Sequence, residues 1–151
     1  MSNVPKLRFK EFNGEWSTRP LSSVSLKISD GIHTTPKYDD TGRYYFINGN
    51  NLKNNAISLD YNTKRVNEDE YQKHYRKLDD STVLMSINGT IGNLAFYRGE
   101  PVVLGKSACY INLNLSEVNK LFISNQIKTS KVQFHFQSEL TGVTANVKMT
   151  H

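Results

Sequence analysis

Apolar side chains gather in the middle of the chain in short runs with the spacing of strands. Val83-Leu84-Met85-Ser86-Ile87 and Asn93-Leu94-Ala95-Phe96-Tyr97 flank a knot of turn residues, Asn88-Gly89-Thr90-Ile91-Gly92. Asn-Gly between apolar runs is a strong hairpin signal, because both central residues of a type I′ turn need positive φ. The second glycine, three residues on, makes the connection more elaborate than a minimal hairpin. Similar runs predict strands at 43–48, 82–87, 93–97, 102–104 and 108–113. Leu21 to Ile28 has mixed period, and a polar loop runs from Ser29 to Gly42. Asn67-Glu68-Asp69-Glu70 carries a helix-start signature, with Asn as cap and acids in the first turn; Lys73, Arg76 and Lys77 place cations toward its end. Residues 119–137 read as helix, in one piece or two. Val132, Phe134 and Phe136 alternate as in a strand, yet Val132, Phe136 and Leu140 also share a helix face. The tail from Leu140 to His151 is polar and turn-like. The pattern as a whole predicts an α+β fold, strand-rich in the middle and helical near the end.

No Pro/Gly/Ser linker, internal repeat or low-complexity tract divides the chain, and 151 residues suit one domain with a real core. Nineteen Lys and Arg against 14 Asp and Glu give a net charge of +5, a modest excess that favours a polyanionic partner without establishing one. Cys109 sits alone in the apolar run Ala108-Cys109-Tyr110-Ile111 and reads as a buried structural thiol. The four histidines have no zinc-ligand spacing. The basic opening, Met1 to Lys10, lacks an apolar core of the kind secretion signals carry, and no apolar run reaches the ~18 residues of a membrane span. A reducing, cytoplasmic compartment without membrane contact is expected.

Enzyme signatures fail one by one. "GEPVVLGKS" (Gly99 to Ser107) has five residues between its glycines where a phosphate-cradling loop needs four, and Pro101-Val102-Val103-Leu104 is a strand-forming run. The four prolines never adjoin, so the Pro-Pro of an amino-methyltransferase loop is missing. Asp39-Asp40 and Asp79-Asp80 sit beside turn or strand-entering residues, where solvated loop acids are the simpler reading, and no Glu-x-Lys accompanies them. No Ser-His-Asp arrangement can be inferred. No catalysis, metal or cofactor is expected.

The polar loops point instead to binding. "GIHTTPKYDDTGRYYFINGNNL" presents His33, Thr34, Thr35, Lys37 and Tyr38 before one strand, and Asn48, Asn50 and Asn51 after it. Asn matches an adenine edge in the major groove, Thr can meet a thymine methyl, and Lys serves guanine or phosphate. Turn chemistry alone also explains Asn48-Gly49-Asn50-Asn51; only the set, with the basic charge, tips toward DNA. Asn50 and Asn51 are the foremost candidates for base edges, and Lys37 and Lys106, with Ser107 beside the latter, for backbone contact.

Several stretches resemble the target-recognition domain of a type I restriction–modification specificity subunit. "VPKLRFKEFNGEW" followed by Leu21 is similar to the opening of such domains, and "DGIHTTPKY" with "YYFINGNNL" to the first recognition-loop region. "VLMSINGTIGNLAFY" is similar to a strand leading into Ser, a small polar residue, Gly, Thr, Ile and Gly. "TGVTANVKM" resembles a segment near the domain's end, which adds Thr144, Asn146 and Lys148 to the candidates. The resemblance implies a twisted central sheet with flanking helices, and recognition of one half of a split double-stranded DNA site. It implies methyltransferase subunits, and through them restriction subunits, as partners that supply the chemistry. It also implies that residues 1–151 are one recognition domain, ending before the spacer helix and second domain of a full subunit. Asn88 and Thr90 would stand clear of the sheet because Gly89 and Gly92 permit a sharp turn. The shared Ser86–Gly92 motif suits scaffold and backbone contact, leaving base reading to loops 33–38 and 48–51. The alternative is a related protein-interaction or regulatory domain that does not read DNA. A mimic of DNA would be acidic, unlike this chain.

Overall fold

The computed structural model describes residues 4–138. A 3-10 turn, Leu21–Val24, leads into β1 (Ser25–Asp30), which resolves the mixed period there: a turn, then a strand. There follow β2 (Tyr44–Ile47), a 3-10 turn at Gly49–Asn51, β3 (Leu52–Lys53), β4 (Ala56–Ile57) and β5 (Arg65–Val66). Helix α1 (Glu68–Lys73) precedes β6 (Thr82–Ser86), β7 (Leu94–Phe96), β8 (Val102–Leu104) and β9 (Ala108–Leu113). Helices α2 (Lys120–Ile127) and α3 (Ser130–Ser138) complete the described residues.

The larger sheet is antiparallel, in the order β1-β9-β6-β7, and the smaller runs β5-β2-β8 with β2 parallel to β8. Antiparallel strands with one wet face alternate apolar and polar residues. β6 and β9 do not alternate, because both faces are covered. Val83, Met85, Cys109, Ile111 and Leu113 pack with Ile127, Ile123 and Phe136 of the helices. Leu84, Ala108 and Tyr110 instead meet Ile47, Val102 and Leu104 of the smaller sheet. That sheet's outer side buries Val66 and Val103 beside Tyr71 of α1, whose ring stacks on Tyr44 with centroids 3.9 Å apart. The layers are therefore helix, sheet, sheet, helix, an α+β arrangement as expected. Cys109 is fully buried in this stack, and desolvation pushes its thiol up to about 12, so it is an inert core group.

The cap signalled at Asn67 formed, and a second Asn cap begins the helix expected from residue 119. Asn67 Oδ1 accepts from Glu70 N–H at 3.0 Å, and Asn119 Oδ1 from Phe122 N–H at 3.1 Å. Helix α1 is shorter than its cations suggested. His74 N–H turns back to Glu70 and Tyr71 carbonyls, tightening the last turn and leaving Arg76 and Lys77 outside. Residues 119–137 form two helices, in which Val132 and Phe136 are half-buried while Phe134 is 73% exposed; the helix-face reading holds for that pair. The type I′ geometry sits not at Asn88-Gly89 but at Asn54-Asn55, the β3–β4 tip, with φ of 52° and 62°. Two-residue strands carry no periodicity, which is why β3, β4 and β5 were not anticipated.

Candidate nucleic-acid interface

At one end of the two sheets the chain repeatedly crosses from one layer to the other. β8 belongs to the smaller sheet and β9 to the larger, so residues 105–107 form a corner between them, as strands that switch sheets must. Three other connections close on that corner. Gly31 N–H donates to Ala108 O at 2.9 Å and Ile32 N–H to Leu104 O at 2.8 Å, anchoring the base of loop 33–38. Gly49 N–H donates to Ser107 Oγ at 2.9 Å, and Ser107 Oγ–H donates to Asn48 Oδ1 at 3.0 Å. Ile87 N–H donates to Ser107 O at 3.0 Å, bringing in loop 88–92. Gly105 is required by this crowding: a methyl there would overlap Asn48 Oδ1 and stand 2.8 Å from Phe46 Cζ.

Within the 88–92 loop, buried Ser86 takes the part of an internal strut. Its hydroxyl donates to Thr90 O at 2.6 Å and accepts Asn93 N–H at 2.9 Å, and Gly92 N–H returns to Ser86 O. Gly89 and Gly92, at φ of 72° and 86°, supply the left-handed residues this winding needs. Thr90 is exposed and Asn88 half-buried.

The candidate side chains divide by what they already bond. Asn51 Oδ1 accepts Asn48 N–H at 2.9 Å, and its Nδ2 donates to Ser58 O at 3.1 Å, so its amide is occupied at both ends. Asn48 and Ser107 are occupied with each other. His33 is taken by Asp30 at 2.5 Å. Tyr38 leans on Phe46, with centroids 5.8 Å apart. Thr34, Thr35, Lys37, Asn50 and Lys106 are exposed, and their side chains bond no other described residue. Thr144, Asn146 and Lys148 lie outside the described residues.

Lys64 was not anticipated. Its Nζ stands 5.8 Å from the centre of the Tyr38 ring, adding a cation beside loop 33–38 that sequence distance conceals. Nearby, the Thr41 hydroxyl and N–H hold Asp39 below the usual carboxylate range, so this acid is spent on its own turn. Among the described residues no group of three or more His, Cys, Asp or Glu side chains could hold a metal ion, and no helix is long and apolar enough to cross a membrane. The exposed groups are hydroxyls, an amide and ammonium ions, which donate or accept hydrogen bonds and attract anions.

Residues 13–150 match the family of type I restriction modification DNA specificity domains, and the chain belongs to that family. The fold is also similar to that of the S subunit of a type I restriction–modification system from M. genitalium. The TM-score is 0.60 at 19% sequence identity, over 97% of this chain and 34% of that one. This chain thus spans a minor part of the S subunit's length. No curated protein matches the sequence.

Proposed function

We propose that this chain reads one half of a bipartite duplex DNA site on behalf of a type I restriction–modification complex and performs no chemistry itself. One observation carries the reading: four loops distant in sequence meet at the Gly105–Ser107 corner, with Thr34, Thr35, Asn50 and Lys106 exposed and unpartnered around it. Hydroxyls and amides suit base edges, and lysine suits phosphate. The +5 charge supplies a general attraction to the duplex. Methylation and cleavage then fall to methyltransferase subunits and, through them, restriction subunits. Asn51, Asn48 and Ser107 serve in this reading as the frame that holds the readers, since their polar atoms are already engaged.

Selection from a random duplex pool tests the proposal. A short, single-block motif should emerge, over a nonspecific background of order 10⁻⁴–10⁻⁶ M at physiological salt that weakens steeply as salt rises. Early elution from heparin together with no enriched motif at low salt would overturn it in favour of an interaction domain that does not read DNA.

A further inference from the structure

A second polar surface adjoins the loops without belonging to them. The Asn54-Asn55 tip of the β3–β4 hairpin faces the α2–α3 corner across an open cleft of about 470 Å³. Lys53 lies on one wall and Lys128 on the other, with Gln133 and Gly92 at the margin. Lys128 Nζ donates to Asn55 Oδ1 at 2.5 Å, and Gln133 Nε2 donates to Ile127 O at 2.7 Å, so side chains on both walls are held in place. Gly92 leaves room for this packing: a Cβ there would come within 2.6 Å of Gln133 Nε2. No carboxylate lines the cleft, and neither lysine has an ion pair among the described residues.

The chemistry is that of an anion site: two ammonium groups, with amides that can donate, open to solvent. Its position gives the source of the anion. Loop 88–92 separates the cleft from the Gly105–Ser107 corner, with Ile87 bonded to Ser107 on one side and Gly92 lining the cleft on the other. We infer that this cleft grips a phosphodiester of the same DNA whose bases meet the loops, an inference that rests on the DNA reading above. It fixes the register of the duplex against the reader loops and carries no base preference.

The molecule contains its own control. A second cleft, lined by Lys27 and Lys77 on another part of the surface, includes the carboxylate of Asp79. DNA binding by the chain is measured against salt for the wild type, Lys53→Ala, Lys53→Ala/Lys128→Ala and Lys27→Ala/Lys77→Ala. Lys53→Ala should lower the salt slope by about one, and the Lys53/Lys128 pair by about two, weakening selected and random duplexes alike. The Lys53 side chain is exposed and makes no hydrogen bond or ion pair, and alanine keeps the backbone pairing with Ala56, so its variant retains the fold. The Lys27/Lys77 pair should change the slope far less despite the same loss of charge. An unchanged slope at Lys53 and Lys128, or an equal loss in the control pair, overturns the phosphate cleft while a wild type that still selects its motif leaves the DNA reading standing. A wild type that binds no duplex at low salt overturns both.

Discussion

The His33–Tyr38 loop and the Asn48–Asn51 turn leave the same end of the sheets and carry similar polar side chains, yet their hydrogen bonds differ in kind. In the turn, Asn48 and Asn51 are bonded at 2.9–3.1 Å to the backbone or to Ser107, and Gly49 is fastened to Ser107 as well. In the loop, the side chains of Thr34, Thr35 and Lys37 hydrogen-bond no other described residue. The loop is fastened by the backbone of Gly31 and Ile32, by the backbone of Lys37 to Glu70, and by His33 on Asp30 and Tyr38 on Phe46. A polar side chain whose donors and acceptors are already paired cannot meet a base without first losing those bonds, at about 1–3 kcal/mol for each group left buried and unpaired. In the proposed reading Asn48 and Asn51 of the turn are therefore frame, while Asn50 and the Thr34-Thr35 pair are readers. Residue type does not separate the two roles; hydrogen-bond occupancy does.

The largest effect should come from breaking the frame at its tightest point. Gly105→Ala forces a methyl against Asn48 Oδ1 and the Phe46 ring, which should cost about 1–3 kcal/mol by overpacking. Thermal denaturation should show the melting temperature falling by several degrees, with DNA affinity falling too because the loops no longer meet. Asn51→Ala should follow, destabilising by about 1–2 kcal/mol as Asn48 N–H and Ser58 O lose their partner. A normal melting temperature in that variant would erase the distinction between frame and reader.

Acid offers a gentler probe of the frame elsewhere in the molecule. Ser81, through its hydroxyl at 2.5 Å and its N–H at 2.9 Å, holds Asp79 below its ordinary 3.8. A carboxylate depressed in the folded state stabilises above its unfolded value and loses that contribution as pH falls through the folded one. Stability measured by denaturant from pH 5 downward should therefore fall, and Asp79→Asn should flatten part of that slope. The smallest stability effect belongs to the reader: Thr34→Ala/Thr35→Ala should leave stability within about 0.5 kcal/mol while changing which duplexes are preferred, as seen in competition titrations.

Much of the scaffold could be read along the chain. The mostly apolar runs of β6 and β9 announced strands, and Asn67 announced a helix start, because a cap or a run is a local arrangement. The hairpin at Asn54-Asn55 was hidden because its strands are two residues long. The gathering of loops at the corner was hidden for a different reason. It depends on β2 lying parallel to β8 and on Ile32 bridging to Gly105, pairings made across more than fifty residues. Nor could composition tell Asn50 from Asn51: both are Asn in one turn, and only the distances to Asn48 and Ser58 divide them.

That pair of neighbours also supplies the sharpest experiment. Once a preferred duplex has been selected, the ratio of its affinity to that of random DNA is measured for Asn50→Ala and Asn51→Ala, with melting temperature alongside. Asn50→Ala should reduce the ratio by the equivalent of about 1–3 kcal/mol at an unchanged melting temperature. Asn51→Ala should lower the melting temperature and leave the ratio of the folded protein intact. The opposite pattern, with discrimination lost at Asn51 and kept at Asn50, would contradict the division between frame and reader at the site that defines it.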